Sequence, residues 1–139
     1  MIYKTHNTDE TIELAAKLAN EYPVPHTFCL KGDLGAGKTA FTRGLAKGYG
    51  YDGRVSSPTF TIMNIYECVN TEIHHYDLYR IADEDELYEI GFEAQEDNCI
   101  TVVEWYDDYV HLFPKEGTTF VNIMRVDSND DYRQIEVSE

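Results

Sequence analysis

Apolar residues in the first part of the chain recur at the spacing of one helical face. Ile12, Ala15, Ala16 and Ala19 lie on it, with Leu14 and Leu18 beside them, so a helix is predicted out to about Tyr22. Asn7 and Thr8 are candidate caps, and Asp9 and Glu10 place negative charge in the first turn, where the helix dipole favours it. Ile2 to His6 reads as a strand before this helix, and Pro23-Val24-Pro25 ends it. Thr27 to Leu30 is a short apolar strand running into Gly32-Asp33-Leu34-Gly35-Ala36-Gly37-Lys38-Thr39. Helix pattern resumes through Phe41 and Leu45 and stops in Gly48-Tyr49-Gly50-Tyr51-Asp52-Gly53.

Beyond this, Ser56-Ser57-Pro58-Thr59 is a loop, and Phe60 to Tyr66 is rich in aromatic and β-branched residues, which predicts a strand. Ile73 to Tyr76 returns as its partner after a turn near Asn70. Asp83, with Glu86 three residues on, caps a short helix that Gly91 stops. Ile100-Thr101-Val102-Val103 is a buried type of strand closing on Glu104. Thr119 to Val126 and Arg133 to Val137 flank the polar turn Asp127-Ser128-Asn129-Asp130-Asp131, a C-terminal β-hairpin. No internal repeat or linker interrupts the pattern, so one α/β domain is expected over residues 1–139.

Charge narrows the function. Against 26 Asp+Glu there are only 11 Lys+Arg, a formal net charge of −15. Affinity for nucleic acid rests on cations that neutralise phosphates, so this chain is not expected to hold RNA or DNA by itself. If it serves nucleic-acid metabolism, a partner protein carries the nucleic acid. Anionic membranes are disfavoured for the same reason. Cys29, Cys68 and Cys99 form no C-x-x-C pair, which argues against a disulfide framework and against a zinc site. No apolar run approaches the ~20 residues of a membrane span, and Met1 to His6 lacks the apolar stretch of a signal peptide. A reducing, cytoplasmic setting is expected.

The candidate chemistry starts at Gly32-x4-Gly37-Lys38-Thr39, which satisfies G-x-x-x-x-G-K-[ST] between a strand and a helix. Its glycines let the backbone turn its N–H groups onto a phosphate chain, and the helix beginning near Lys38 adds its positive end. Lys38 can reach the outer phosphates, and the Thr39 hydroxyl can ligate Mg²⁺. At average residue frequencies, chance delivers this pattern in a chain of this length only about 0.5% of the time. A Mg–nucleotide site also needs an acid at the end of a neighbouring strand. Glu104, which closes an apolar run rather than filling a core, is the first choice, and Asp77 at the end of the Ile73–Tyr76 strand the second. In a chain with so many acids, each could instead be a solvated strand end.

Among the few arginines, Arg54 and Arg80 flank candidate loops, and Arg43 lies one turn into the second helix. Any of them could offset nucleotide charge or be an ordinary surface cation. His74 and His75 are adjacent, so on a strand they point to opposite faces, with no metal-ligand spacing around them. The acids between Asp83 and Asp97 form a solvated face or a surface for a basic partner.

Several separated motifs then agree. The phosphate loop from Gly32 to Thr39, Ser57-Pro58-Thr59-Phe60, His75-Tyr76-Asp77-Leu78-Tyr79-Arg80, Glu86-Leu87-Tyr88-Glu89-Ile90-Gly91 and Glu104-Trp105 follow one another in an order that resembles the TsaE family. These are the bacterial P-loop ATPases of tRNA threonylcarbamoyladenosine (t6A) biosynthesis. The resemblance implies a single P-loop NTPase-like domain with a mixed β-sheet flanked by helices. It implies weak ATP hydrolysis that depends on TsaB and TsaD, the proteins that modify A37 of tRNA, and a role in their turnover; contact with tRNA is then indirect. By position it implies that Thr39 and Glu104 hold Mg²⁺. Asp33, Leu34, Gly35, Ala36, Gly37 and Lys38 wrap the phosphates of ATP or ADP, and Asp77 lies beside them. Ser57, Pro58 and Thr59 form a switch-like loop with Arg80 beyond it. Trp105 reports on or gates the site, and the base lies between Asn7 and Arg133. Ala40 and Tyr106 depart from the family's usual residues without touching these contacts.

Two other classes share the phosphate loop. A small P-loop kinase usually needs an arginine-bearing lid, and after Glu104 only Arg125 and Arg133 are available. A switch protein that senses ATP against ADP needs no group to position water. Phosphate transfer from ATP to a small molecule discriminates the kinase, and single-turnover hydrolysis with and without partner proteins discriminates the switch.

Overall fold

The computed structural model describes residues 1–33, 35–126 and 129–139, with the backbone alone for Asn129 and Asp130. In chain order the elements are β1 (Ile2–Thr5), α1 (Thr8–Ala19), β2 (His26–Lys31), α2 (Lys38–Gly48), β3 (Met63–Glu67), β4 (Glu72–Asp77), α3 (Glu84–Glu89), β5 (Cys99–Glu104), a 3₁₀ segment (Asp107–Leu112), β6 (Thr118–Val126) and β7 (Asn129–Ser138). The strands form one mixed sheet in the order β1-β7-β6-β2-β5-β4-β3. β6, β2, β5 and β4 run parallel, while β3, β7 and β1 join antiparallel. Leu30 pairs with Glu104, and Glu104 with Asp77, so the C-terminal ends of β2, β5 and β4 share one rim of the sheet. Open parallel sheets bind ligands at that rim.

The apolar runs of β2 and β5 are buried on both faces, as parallel central strands should be. Phe28, Leu30, Ile100, Val102 and Ile73 pack with Ala15, Leu18, Phe41 and Leu45 of α1 and α2. The intervening residues Cys29, Val103 and Tyr76 face the other way, onto Leu78, Leu87, Phe92, Tyr109 and Phe113. α1 lies close against α2 because α2 presents glycine there. A Cβ on Gly44 would fall 2.3 Å from the Ile12 carbonyl oxygen and 2.6 Å from Ala15 Cβ. Asn7 caps α1 by accepting from the Glu10 N–H at 2.8 Å, and Asp83 caps α3 by accepting from Glu86 at 3.1 Å.

Some boundaries differ from the sequence pattern. α1 ends at Ala19 rather than near Tyr22, because the N–H groups of Asn20, Glu21 and Tyr22 bond to carbonyls three residues back, tightening the chain into turns. β3 begins at Met63 rather than Phe60. The Ile62 N–H bonds to the Pro58 carbonyl, Ile62 adopts φ +69°, and Phe60 is 82% exposed. A local turn has overridden strand propensity there. The C-terminal hairpin forms, with β7 starting at Asn129, inside the segment expected to be its turn; Asp127 and Ser128 lie outside the described residues, as does Leu34 of the phosphate loop. Among the described residues, no helix is long and apolar enough to cross a membrane.

The helix contact yields a stability test. Alanine is the better helix former by about 1 kcal/mol, yet Gly44→Ala should destabilise by about 1–3 kcal/mol, because overpacking against the α1 backbone dominates. A lower urea midpoint at unchanged denaturant slope is the expected result.

Candidate active site

Gly35 and Gly37 carry φ +78° and +113°, which places the turn between β2 and α2 in conformations that residues with a Cβ resist. Gly37 is the N-cap of α2, and no side chain caps it. The orphan N–H groups of the first turn are therefore available to an anion. From outside, the hairpin β6–β7 grips the loop's carbonyls. Arg133 Nε donates to the Ala36 oxygen at 2.6 Å, and Arg133 and Arg125 each donate to the Gly35 oxygen at 3.3 Å.

Lys38 Nζ lies 3.7 Å from Glu104 Oε1 and 5.0 Å from the centroid of the Trp105 ring. Glu104 is only 3% exposed, and its Oε2 accepts from His75 Nε2 at 2.6 Å. His75, fully buried, meets the Tyr66 hydroxyl through Nδ1 at 3.0 Å, and that hydroxyl also reaches the Ser56 carbonyl at 2.9 Å. Asp77 accepts the Tyr79 N–H on Oδ1 at 2.9 Å, and its own N–H bonds to the Ile62 carbonyl at 2.8 Å. Burial pushes the Asp77 carboxyl above the usual range and the charge of Glu104 adds to this, against the Tyr79 N–H and the nearby Lys38 and His75 side chains. Trp105 sits at φ +58°, a strained conformation for an aromatic residue, with its ring 4.9 Å from that of Tyr79.

Around these groups lies a cavity of about 550 Å³. Gly35, Gly37, Lys38 and Thr39 form its floor, Ser57 and Thr59 one wall, and Asp77, Tyr79, Glu104 and Trp105 the rest. The family model described as "Threonylcarbamoyl adenosine biosynthesis protein TsaE" matches residues 5–135. The chain belongs to the TsaE family.

Relatives named "tRNA threonylcarbamoyladenosine biosynthesis protein TsaE" support this assignment. The Haemophilus influenzae protein is 42% identical over 109 residues, covering 78% of this chain and 66% of that protein. The Rickettsia felis protein is 40% identical over 108 residues, 77% of this chain and 63% of its own length. The match to the Bacillus subtilis TsaE protein is longer, 38% over 135 residues, covering 96% and 82% of the two chains. The chain thus spans slightly less than two thirds of the first two relatives and most of the third. The crystal structure of Bacillus subtilis YdiB superposes with a TM-score of 0.73 at 32% identity, covering 97% of this chain and 82% of that one.

Of the residues that TsaE resemblance singles out, Gly35, Gly37, Lys38, Thr39, Ser57, Thr59, Asp77, Glu104 and Trp105 surround the one cavity. Asp33 opens instead onto a smaller adjoining pocket of about 160 Å³ on the other side of Lys38. Ala36 and Pro58 are buried beneath the loops that carry them. Arg80 is exposed, stacked 4.9 Å from the Phe60 ring at the outer end of the Ser57–Thr59 loop. Arg133 meets the phosphate loop from behind, while the Asn7 side-chain oxygen is engaged as the α1 cap. Glu104 does not stand at a solvated strand end: it is buried, so it serves packing as well as the site. His75, which opens one of the motifs, Arg125, weighed only as a lid arginine, and Tyr66 were given no site role by pattern. The available signal was that His75 lies two residues before Asp77, on the same face of a strand.

Asp77→Asn keeps an acceptor for the Tyr79 N–H and removes a carboxyl whose charged form is penalised by burial. A raised folded-state value for an acid means that stability declines as pH rises through it. The variant should therefore gain thermal midpoint over wild type at neutral pH, with the gap closing as pH falls through the carboxylate range. Thermal scans across that range check the sign.

Proposed function

We propose that the chain binds and slowly hydrolyses ATP in tRNA threonylcarbamoyladenosine formation, acting with TsaB and TsaD so that the modification turns over repeatedly. The observation that carries this reading is the cavity of about 550 Å³ that joins Lys38 and Thr39 at the start of α2 to Asp77 and Glu104 at the ends of β4 and β5. The family match and the relatives' names supply the pathway.

The uncapped first turn of α2 and the amides of the glycine loop receive the phosphates, with Lys38 as the compact cation. The base lies on the side bounded by Asn7 and Arg133. The Thr39 hydroxyl and the Glu104 carboxylate, with Asp77 nearby, are hard oxygen donors of the kind that Mg²⁺ takes, so these residues suit it and would hold it. Magnesium bound there neutralises phosphate charge. His75 holds the Glu104 carboxylate in one orientation by donating to it. Ser57, Pro58 and Thr59 form the switch-like segment, coupled to the acid through Ser56, Tyr66 and His75. With a net charge of −15, the protein engages its partner proteins and leaves tRNA to them.

Lys38→Ala should abolish ATP binding in calorimetry, and unchanged affinity would refute the site. Glu104→Gln retains an acceptor for His75, so it should stay folded while losing Mg-dependent hydrolysis. Hydrolysis by the wild-type chain alone should run at about 10⁻² s⁻¹ or slower, as in unassisted P-loop switches, and rise when TsaB and TsaD are added. The decisive measurement is modified tRNA formed per TsaB–TsaD complex over time. Many turnovers are expected with wild type and about one with Glu104→Gln. Equal rates with both would overturn the coupling.

A further inference from the structure

At the opposite ends of β4 and β5 a second group of donor atoms converges. Glu72 pairs with Cys99 across the two strands, and His74 follows on the same face. His74 Nε2 lies 3.1 Å from Glu72 Oε1 and 3.8 Å from Cys99 Sγ, and one donor atom from each of the three residues falls within 4.8 Å of the others. The other ring nitrogen, Nδ1, is 2.8 Å from Glu96 Oε2. His74 and Cys99 are each 8% exposed, while the side chains of Glu72 and Glu96 are 46% and 41% exposed.

We propose that Glu72, His74 and Cys99 form a site for a borderline-soft divalent cation, with zinc the best fit. Tetrahedral zinc has bonds of about 2.3 Å to sulfur and about 2.0–2.1 Å to nitrogen and oxygen, which sets ligand atoms about 3.3–3.6 Å apart. The two distances from His74 Nε2 bracket that spacing. Glu96 supplies the outer carboxylate that metal-bound imidazoles carry on their second nitrogen, fixing the tautomer and aiming Nε2 at the metal. The donor set of one thiolate, one imidazole and one carboxylate selects zinc over magnesium or calcium, which avoid sulfur. Loading exchanges the Cys99 thiol proton, released to solvent, for the cation. Solvent fills the fourth position on the side where the two glutamates open outward. At about 3.3 Å per residue step, Glu72 stands about 16 Å along β4 from Asp77 of the nucleotide cavity, and His74 about 10 Å from it. The competing arrangement is His74 as a simple ionic bridge between Glu72 and Glu96.

Cobalt(II) titration of the purified chain separates the two, because thiolate coordination gives a near-ultraviolet charge-transfer band that cobalt held by oxygen at the nucleotide site does not produce. One equivalent of cobalt should produce that band, and zinc, but not magnesium, should bleach it. Cys99→Ser should abolish the band, His74→Gln should weaken binding at least tenfold, and Glu96→Gln should weaken it about 10–100-fold without removing the band. Cys68→Ser should leave it intact. Zinc should also slow iodoacetamide labelling of Cys99 and not of Cys68 in the unaltered protein, a readout that needs no variant. Absence of the band, its survival in folded Cys99→Ser, or unchanged labelling of Cys99 would assign His74 to the ionic bridge instead.

Discussion

The hydrogen bond between His75 and Glu104 is the interaction around which the rim of the sheet is arranged. Leaving a charge like that of Glu104 buried without its partner costs roughly 3–5 kcal/mol. Here the carboxylate, 3% exposed, receives the ring N–H of a fully buried histidine on one oxygen and faces Lys38 with the other. The requirement spreads outward. His75 needs the Tyr66 hydroxyl, Tyr66 fixes the Ser56 carbonyl, and the loop bearing Ser57 to Thr59 starts from there. A single buried acid thus couples a central strand, an edge strand and a loop.

Strand periodicity lets β4 and β5 each serve two purposes. On the face toward α1 and α2, Ile73 and Val102 pack while His75 and Glu104, two residues further along, build the rim. On the other face Tyr76 and Val103 close the second core, below His74 and Cys99. A one-residue slip of β4 would exchange His75 for a neighbour and strip Glu104 of its donor, so register matters here more than composition.

What was legible in the sequence was local. The phosphate loop announces itself because its turn, its lysine and its hydroxyl are contiguous, and Glu104 because an apolar run closes on it. Asn7 and Asp83 read correctly as caps, since capping acts over three residues. The His75–Tyr66 link and the meeting of His74 with Cys99, 25 residues apart, depend on how β3, β4 and β5 register, which no spacing rule encodes. The arginine grip on the phosphate loop joins positions 90 to 98 residues apart and was invisible for the same reason. Phe60 to Ile62 misled in the other direction: their side chains favour a strand, but the Pro58 carbonyl captures the Ile62 N–H and turns the chain.

Trp105 is the chain's one tryptophan, and its backbone twist sets a half-exposed indole over the Lys38 ammonium at the mouth of the cavity. Intrinsic fluorescence excited at the red edge of protein absorption therefore originates from one place in the molecule, and that place is the cavity. Withdrawal of the ammonium from the ring, or a change in the water around it, alters the emission without background from other indoles. The unlabelled protein is its own optical probe of the site.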